Sequence, residues 1–136
     1  MKREIPRSKM TEKSLSELLA CSKNVRYLHL QKCDKVDLSK LFVELEERNA
    51  SLSLKEIRLD NLRVENSTLL RLVKTCPGLE ALHMSRTNEW DEGGLEFLCH
   101  QLPSLKGLSL GSCKLTSQVL NCITNSNANI RFLYLK

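Results

Sequence analysis

Residues 79–87, LEALHMSRT, set apolar side chains at Leu79, Leu82 and Met84 in the order L-x-x-L-x-L. Leu82 and Met84 flank one polar residue, His83, which is the two-residue period of a strand with a single buried face. The same pattern occurs upstream as VRYLHLQKC from Val25 and LKEIRLDNL from Leu54, and downstream as LKGLSLGSC from Leu105 and IRFLYLK from Ile130. The starts lie 29, 25, 26 and 25 residues apart. Five recurrences in one register predict five copies of a single structural unit, each opened by a strand.

Helices are expected between these strands. Asp37, Asn66 and Asp91 each stand seven residues beyond the last strand apolar residue (Leu30, Leu59, Met84), and Thr116 stands six beyond Leu110. All are residue types whose side-chain oxygen can accept from the free amides of a helix N-terminus. Apolar pairs bracket three of these caps as hydrophobic staples: Val36 with Leu41, Trp90 with Leu95 and Leu115 with Leu120. The helices then present Leu41, Phe42 and Leu45; Leu69, Leu70 and Val73; Leu95, Leu98 and Cys99; and Val119, Leu120 and Ile123 at three- and four-residue spacing. Leu15, Leu18 and Leu19 repeat this stripe after Thr11, predicting a helix over 11–22. Pro77 and Pro103 fall where a helix must end before the next strand.

Composition agrees with such a repeat. The chain has 136 residues, of which 41% are hydrophobic but only 4% aromatic, so the core must be aliphatic. Six cysteines, at 21, 33, 76, 99, 113 and 122, coincide with expected buried positions and are read as free thiols. No C-x-x-C pair gives zinc spacing. The net charge is +5, and Lys2, Arg3, Arg7, Lys9 and Lys13 against Glu4 and Glu12 place +3 of it in residues 1–13. Residues 1–10 are therefore read as a basic N-terminal arm and 11–136 as one repeat domain. No membrane-spanning or signal-peptide run is present, which predicts an intracellular protein, cytoplasmic or nuclear, with no membrane association.

A strand–helix unit of about 20 to 29 residues is the period of leucine-rich repeats. The expected fold is thus α/β, a solenoid of about five parallel strands. The segment LVKTCPGLEALHMSRTNEWDEGGLEFLCHQLPSLKGLSLGSC resembles the cysteine-containing and ribonuclease-inhibitor-like class of these repeats. Its matching features are Cys76-Pro77 before Leu79, Leu82-x-Met84, Cys33 and Cys113 three residues after a strand, and Asp91-x-Gly93-x-Leu95. That class forms the substrate-binding half of F-box/leucine-rich-repeat ubiquitin-ligase receptors. The resemblance spans residues 11–136 and implies a right-handed solenoid with strands on the concave face, helices on the convex face and protein partners bound to the strands. The residues ahead of the first helix are too few for an F-box, so the likeness is to the repeat half alone.

If Leu28 and Leu30 point inward, their neighbours point outward. The outward set is Tyr27, His29 and Gln31; Glu56, Arg58 and Asp60; Ala81, His83 and Ser85; Gly107, Ser109 and Gly111; and Phe132 and Tyr134. Stacking the strands should align His29, Arg58, His83, Ser109 and Tyr134 in a central column. These outward residues, apart from the small Ala81, Gly107 and Gly111, are the candidate partner-binding residues.

Other chemistry has weaker support. Gly107 to Gly111 matches G-x-S-x-G, the elbow of serine hydrolases, with His83 one strand away, but Ser109 should sit in mid-strand and not on the required turn. An alternative reading is nevertheless a small hydrolase using Ser109. A second is nucleic-acid association through the basic arm, although no aromatic interleaving accompanies it. Neither metal, cofactor nor catalytic residue is expected. His29 and His83, two strands apart, stand about 9.6 Å from each other, too far to share one ion. The sequons Asn49-Ala50-Ser51 and Asn66-Ser67-Thr68 are read as coincidental. Finally, residues 130–135 form an apolar strand expected to pair along its free edge with a second copy or a partner strand, unless Arg131 and Lys136 guard it.

Overall fold

The computed structural model describes residues 2–3, 11–30, 33, 35–113, 116–126 and 129–135. Gln31, Leu115, Lys136 and residues 4–10 of the expected arm lie outside that set. Strands and helices alternate: β1 (Lys2–Arg3), α1 (Glu12–Cys21), β2 (Tyr27–His29), α2 (Leu38–Glu47), β3 (Glu56–Arg58), α3 (Asn66–Thr75), β4 (Ala81–His83), α4 (Glu92–Gln101), β5 (Gly107–Ser109), α5 (Ser117–Ser126) and β6 (Phe132–Tyr134). All strands pair parallel in one sheet, in chain order from β1 to β6. Helices pack likewise, each against the helix before and after it. No helix among the described residues is long and apolar enough to cross a membrane.

The hydrogen-bonding scheme repeats from unit to unit. Lys55 and Glu56 amides both donate to the Arg26 carbonyl, Glu80 and Ala81 to Lys55, Lys106 and Gly107 to Glu80, and Arg131 and Phe132 to Lys106. At the other end of each strand Leu30, Leu59, Met84 and Leu110 donate to Arg58, His83, Ser109 and Tyr134. Equivalent residues therefore make equivalent bonds, as the L-x-x-L-x-L register requires. Val25, Leu54, Leu79 and Leu105, with the two inward strand residues that follow each, are at most 4% exposed and join the buried helix residues in a single cluster.

Three helix starts follow the expected capping, and α1, which begins at Glu12, is capped in the same way by Thr11. Thr11 accepts from the Ser14 amide at 3.1 Å while Ser14 Oγ accepts from the Thr11 amide, a reciprocal box. Asp37 accepts from Lys40, Asp91 from Gly94 and Thr116 from Val119. The staple residues Val36, Leu41 and Leu95 are buried, and Trp90 packs on the core with its indole N–H donated to Thr87 Oγ1 at 2.8 Å. Pro77 and Pro103 occupy the turns after α3 and α4.

α3 departs from expectation. Its cap position is Glu65, which makes no side-chain cap bond, and Asn66 is already helical. The Asn66 carboxamide oxygen instead accepts from the Asp91 backbone amide at 3.1 Å, satisfying a donor of the next unit. A one-residue change of start turns a helix by about 100°. Consequently Leu69 and Leu72 are fully buried, Val73 only partly so, and Leu70 is 42% exposed. Gly94 belongs to the same junction, since a Cβ there would collide with the Asn66 carboxamide.

Two further differences concern the ends and the thiols. Lys2 and Arg3, read as part of a free arm, pair with Tyr27 and Leu28. Such pairing uses backbone groups and leaves no side-chain signature. Cys33, Cys76 and Cys99 are buried thiols, but Cys113 is half-buried and Cys21, at the last turn of α1, is exposed. Burial pushes the Cys76 thiol up to about 12, against a small opposing effect of Thr75. Iodoacetamide should therefore modify Cys21 in the native protein and reach Cys33, Cys76 and Cys99 only after unfolding, as read by peptide mass spectrometry. Native labelling of Cys76 would contradict its placement.

Candidate functional site

The outward strand positions assemble as their register demands. Tyr27, Glu56, Ala81, Gly107 and Phe132 align in one column, and His29, Arg58, His83, Ser109 and Tyr134 in the next. Asp60, Ser85 and Gly111 continue past the strand ends, where the Ser85 amide donates to Asp60 Oδ1 and the Gly111 amide to Ser85 Oγ. The turns that follow hold Asn61, Arg86 and Ser112 at φ of 65°, 57° and 58°, a left-handed conformation recurring at one repeat position.

Glu56 is the hub of this face. Its Oε2 accepts from His29 Nε2 at 2.8 Å and its Oε1 from His83 Nε2 at 3.2 Å. An ionised carboxylate only accepts, so both ring nitrogens must carry a proton, which fixes the orientation of both imidazoles. Arg58 Nε lies 3.8 Å from Oε2, within ion-pair range, but has no hydrogen bond among the described residues. Burial opposes ionisation of Glu56. The hydrogen bonds from His29 and His83, with the electrostatic pull of His83 and Arg58, outweigh it and hold the carboxyl below its ordinary value of 4.5.

A depressed carboxyl stabilises the fold above its unfolded-state value, and that contribution is lost as pH falls through the folded-state value. Wild type should thus be more stable than Glu56→Gln near pH 7, with the gap closing below about pH 4 in urea titrations. A gap that persists unchanged into acid would mean that the carboxylate charge is not what organises the face.

Two open hollows lie on this surface. One, of about 360 Å³, is lined by Ala81, Gly107 and Leu108 together with Glu56, Glu80, His83, Lys106, Ser109, Phe132 and Tyr134. The other, of about 490 Å³, lies at the strand ends and is bounded by polar groups including Asp60, Asn61, Arg86 and Ser112. Glu80 and Lys106 were not among the residues expected here. They precede the first outward strand residue, and the Glu80 carboxylate bridges Lys55 at 3.4 Å and Lys106 at 3.8 Å across neighbouring strands.

Tyr27, Phe132 and Tyr134 are 42%, 71% and 57% exposed, whereas His29, Glu56 and His83 are half-buried in their network. The Ser109 hydroxyl lies 3.1 Å from Ser85 Oγ, and His83 directs Nε2 to Glu56. The G-x-S-x-G serine, expected in mid-strand, is the last residue of β5 and is hydrogen-bonded to a second serine. Among the described residues no group of three His, Cys, Asp or Glu side chains is placed to hold a metal ion. In the second sequon the Asn66 oxygen is engaged and Thr68 is buried. No protein-family model matches the chain, and no match was found among curated proteins.

Proposed function

We propose that this chain is a right-handed leucine-rich-repeat solenoid of the cysteine-containing, ribonuclease-inhibitor-like class. In this reading it binds a partner protein across its strand face, the concave one, and acts as a binding module and not as an enzyme. The observation that carries the reading is the pair of aligned outward columns. They end in the exposed aromatics Tyr27, Phe132 and Tyr134, and Glu56 fixes His29 and His83 between them. Aromatic anchors beside immobilised polar groups are the composition of interface centres, and fixing the polar side chains beforehand lowers the entropy lost on binding.

The resemblance to F-box/leucine-rich-repeat receptors gives the proposal its specific form, a substrate-recognition or scaffolding subunit of a ubiquitin-ligase-type assembly in the cytoplasm or nucleus. Affinity purification from the native cell should recover the same partners reproducibly with wild type. The combined variant His29→Ala, Arg58→Glu, Tyr134→Ala should lose them. An unchanged partner set with the folded variant would reject the strand face as the binding surface.

A further inference from the structure

The hollow between β4 and β6 narrows what such a partner must bring, and the inference rests on the binding role just proposed. In the first outward column Tyr27, Glu56 and Phe132 carry long side chains, while Ala81 and Gly107 carry almost none. The notch so formed is the hollow of about 360 Å³, roughly the liquid volume of a dozen waters. Packing does not demand it. A Cβ on Gly107 would meet nothing nearer than Phe132 Cβ at 3.7 Å, and the residue has no positive φ.

Charges around the hollow are already paired within the chain. Glu56 is held by His29 and His83 with Arg58 close by, and Glu80 lies between Lys55 and Lys106. A charged occupant would lose hydration without gaining a counter-ion of its own. The remaining lining is mostly carbon: Ala81, Gly107, Leu108 and the rings of Phe132 and Tyr134, beside a Ser109 hydroxyl already 3.1 Å from Ser85 Oγ. Those rings lie largely in water and gain most by being covered. Because the hollow is open to solvent, its occupant must also bring surface that closes it, as a side chain carried on a protein does and a free small molecule does not.

We propose that this hollow receives one large uncharged apolar side chain, aliphatic or aromatic, from a partner protein. The test is selection from a random peptide library displayed on phage against the full chain, followed by affinities of the selected peptides as synthetic compounds. Wild type should enrich peptides sharing one fixed large apolar residue. Replacing that residue by alanine, or filling the hollow by Gly107→Trp, should weaken binding by about 30-fold or more, the scale of an interface hot spot. Phe132→Ala, which removes a wall without adding bulk, serves if Gly107→Trp fails to fold by circular dichroism. A fixed lysine, arginine or acidic residue, or no enriched family, would overturn the inference. Binding that survives both hollow variants but is lost in Arg58→Glu would overturn it while leaving the strand-face reading intact. Binding indifferent to all of these would remove both.

Discussion

Replacing Leu72 by alanine is expected to destabilise the protein by about 2–5 kcal/mol, and replacing Leu70 by less than about 0.5 kcal/mol. Both leucines lie on α3, two residues apart, with opposite surroundings. Leu72 is fully buried in the cluster shared by strands and helices, and Leu70 is 42% exposed. Truncating Leu72 removes transfer free energy and leaves a cavity among residues fixed from several sides, so relaxation recovers little. A small domain has about 5–15 kcal/mol in total, so the Leu72 change should move the urea midpoint strongly. A larger loss from the Leu70 variant than from the Leu72 variant would mean that α3 is turned by one residue from the orientation described.

The largest expected effect on binding comes from Arg58→Glu. Arg58 stands at the second position of the central column, 3.8 Å from the Glu56 carboxylate, with Asp60 two residues on. Reversal would line three carboxylates, at 56, 58 and 60, along one strand and change the sign of the local potential. A partner fitted to the wild-type face would then meet repulsion as well as a lost contact, and affinity should fall by about 30-fold or more. The fold should tolerate the change, because the Arg58 side chain is 38% exposed. Glu96→Lys on α4, also a reversal of charge but on an exposed helix position, should leave affinity nearly unchanged. Calorimetric titration of a captured partner would measure both, and opposite changes of similar size would point to net charge instead of a face.

Much of this arrangement is legible in the sequence because a strand has only two faces. Once Leu28, Ile57, Leu82 and Leu108 are set in one register, the residues beside them must form the observed outward columns. The α3 phase was hidden because Asn66 is a good capping residue at nearly the right distance, while Glu65 gives no capping signal of its own. Glu56 as a hub was missed because its bonds run diagonally, from the first column to histidines of the second, between residues 27 apart in the chain. A carboxylate in one column flanked by two histidines in the next is the pattern that could have disclosed it. Gly94 went unnoticed for a similar reason: its constraint comes from Asn66 on a neighbouring helix.

The central claim, that partners sit on the strand face, is tested most directly by site-specific photocrosslinking in the native cell. Benzoylphenylalanine in place of Tyr134, an exposed aromatic on β6, exchanges one ring for another at the proposed surface. The same group in place of Glu96, exposed on α4, probes the helix side. Irradiation should yield a discrete adduct with a partner protein from position 134 and none from position 96. An adduct from position 96 alone would contradict the account.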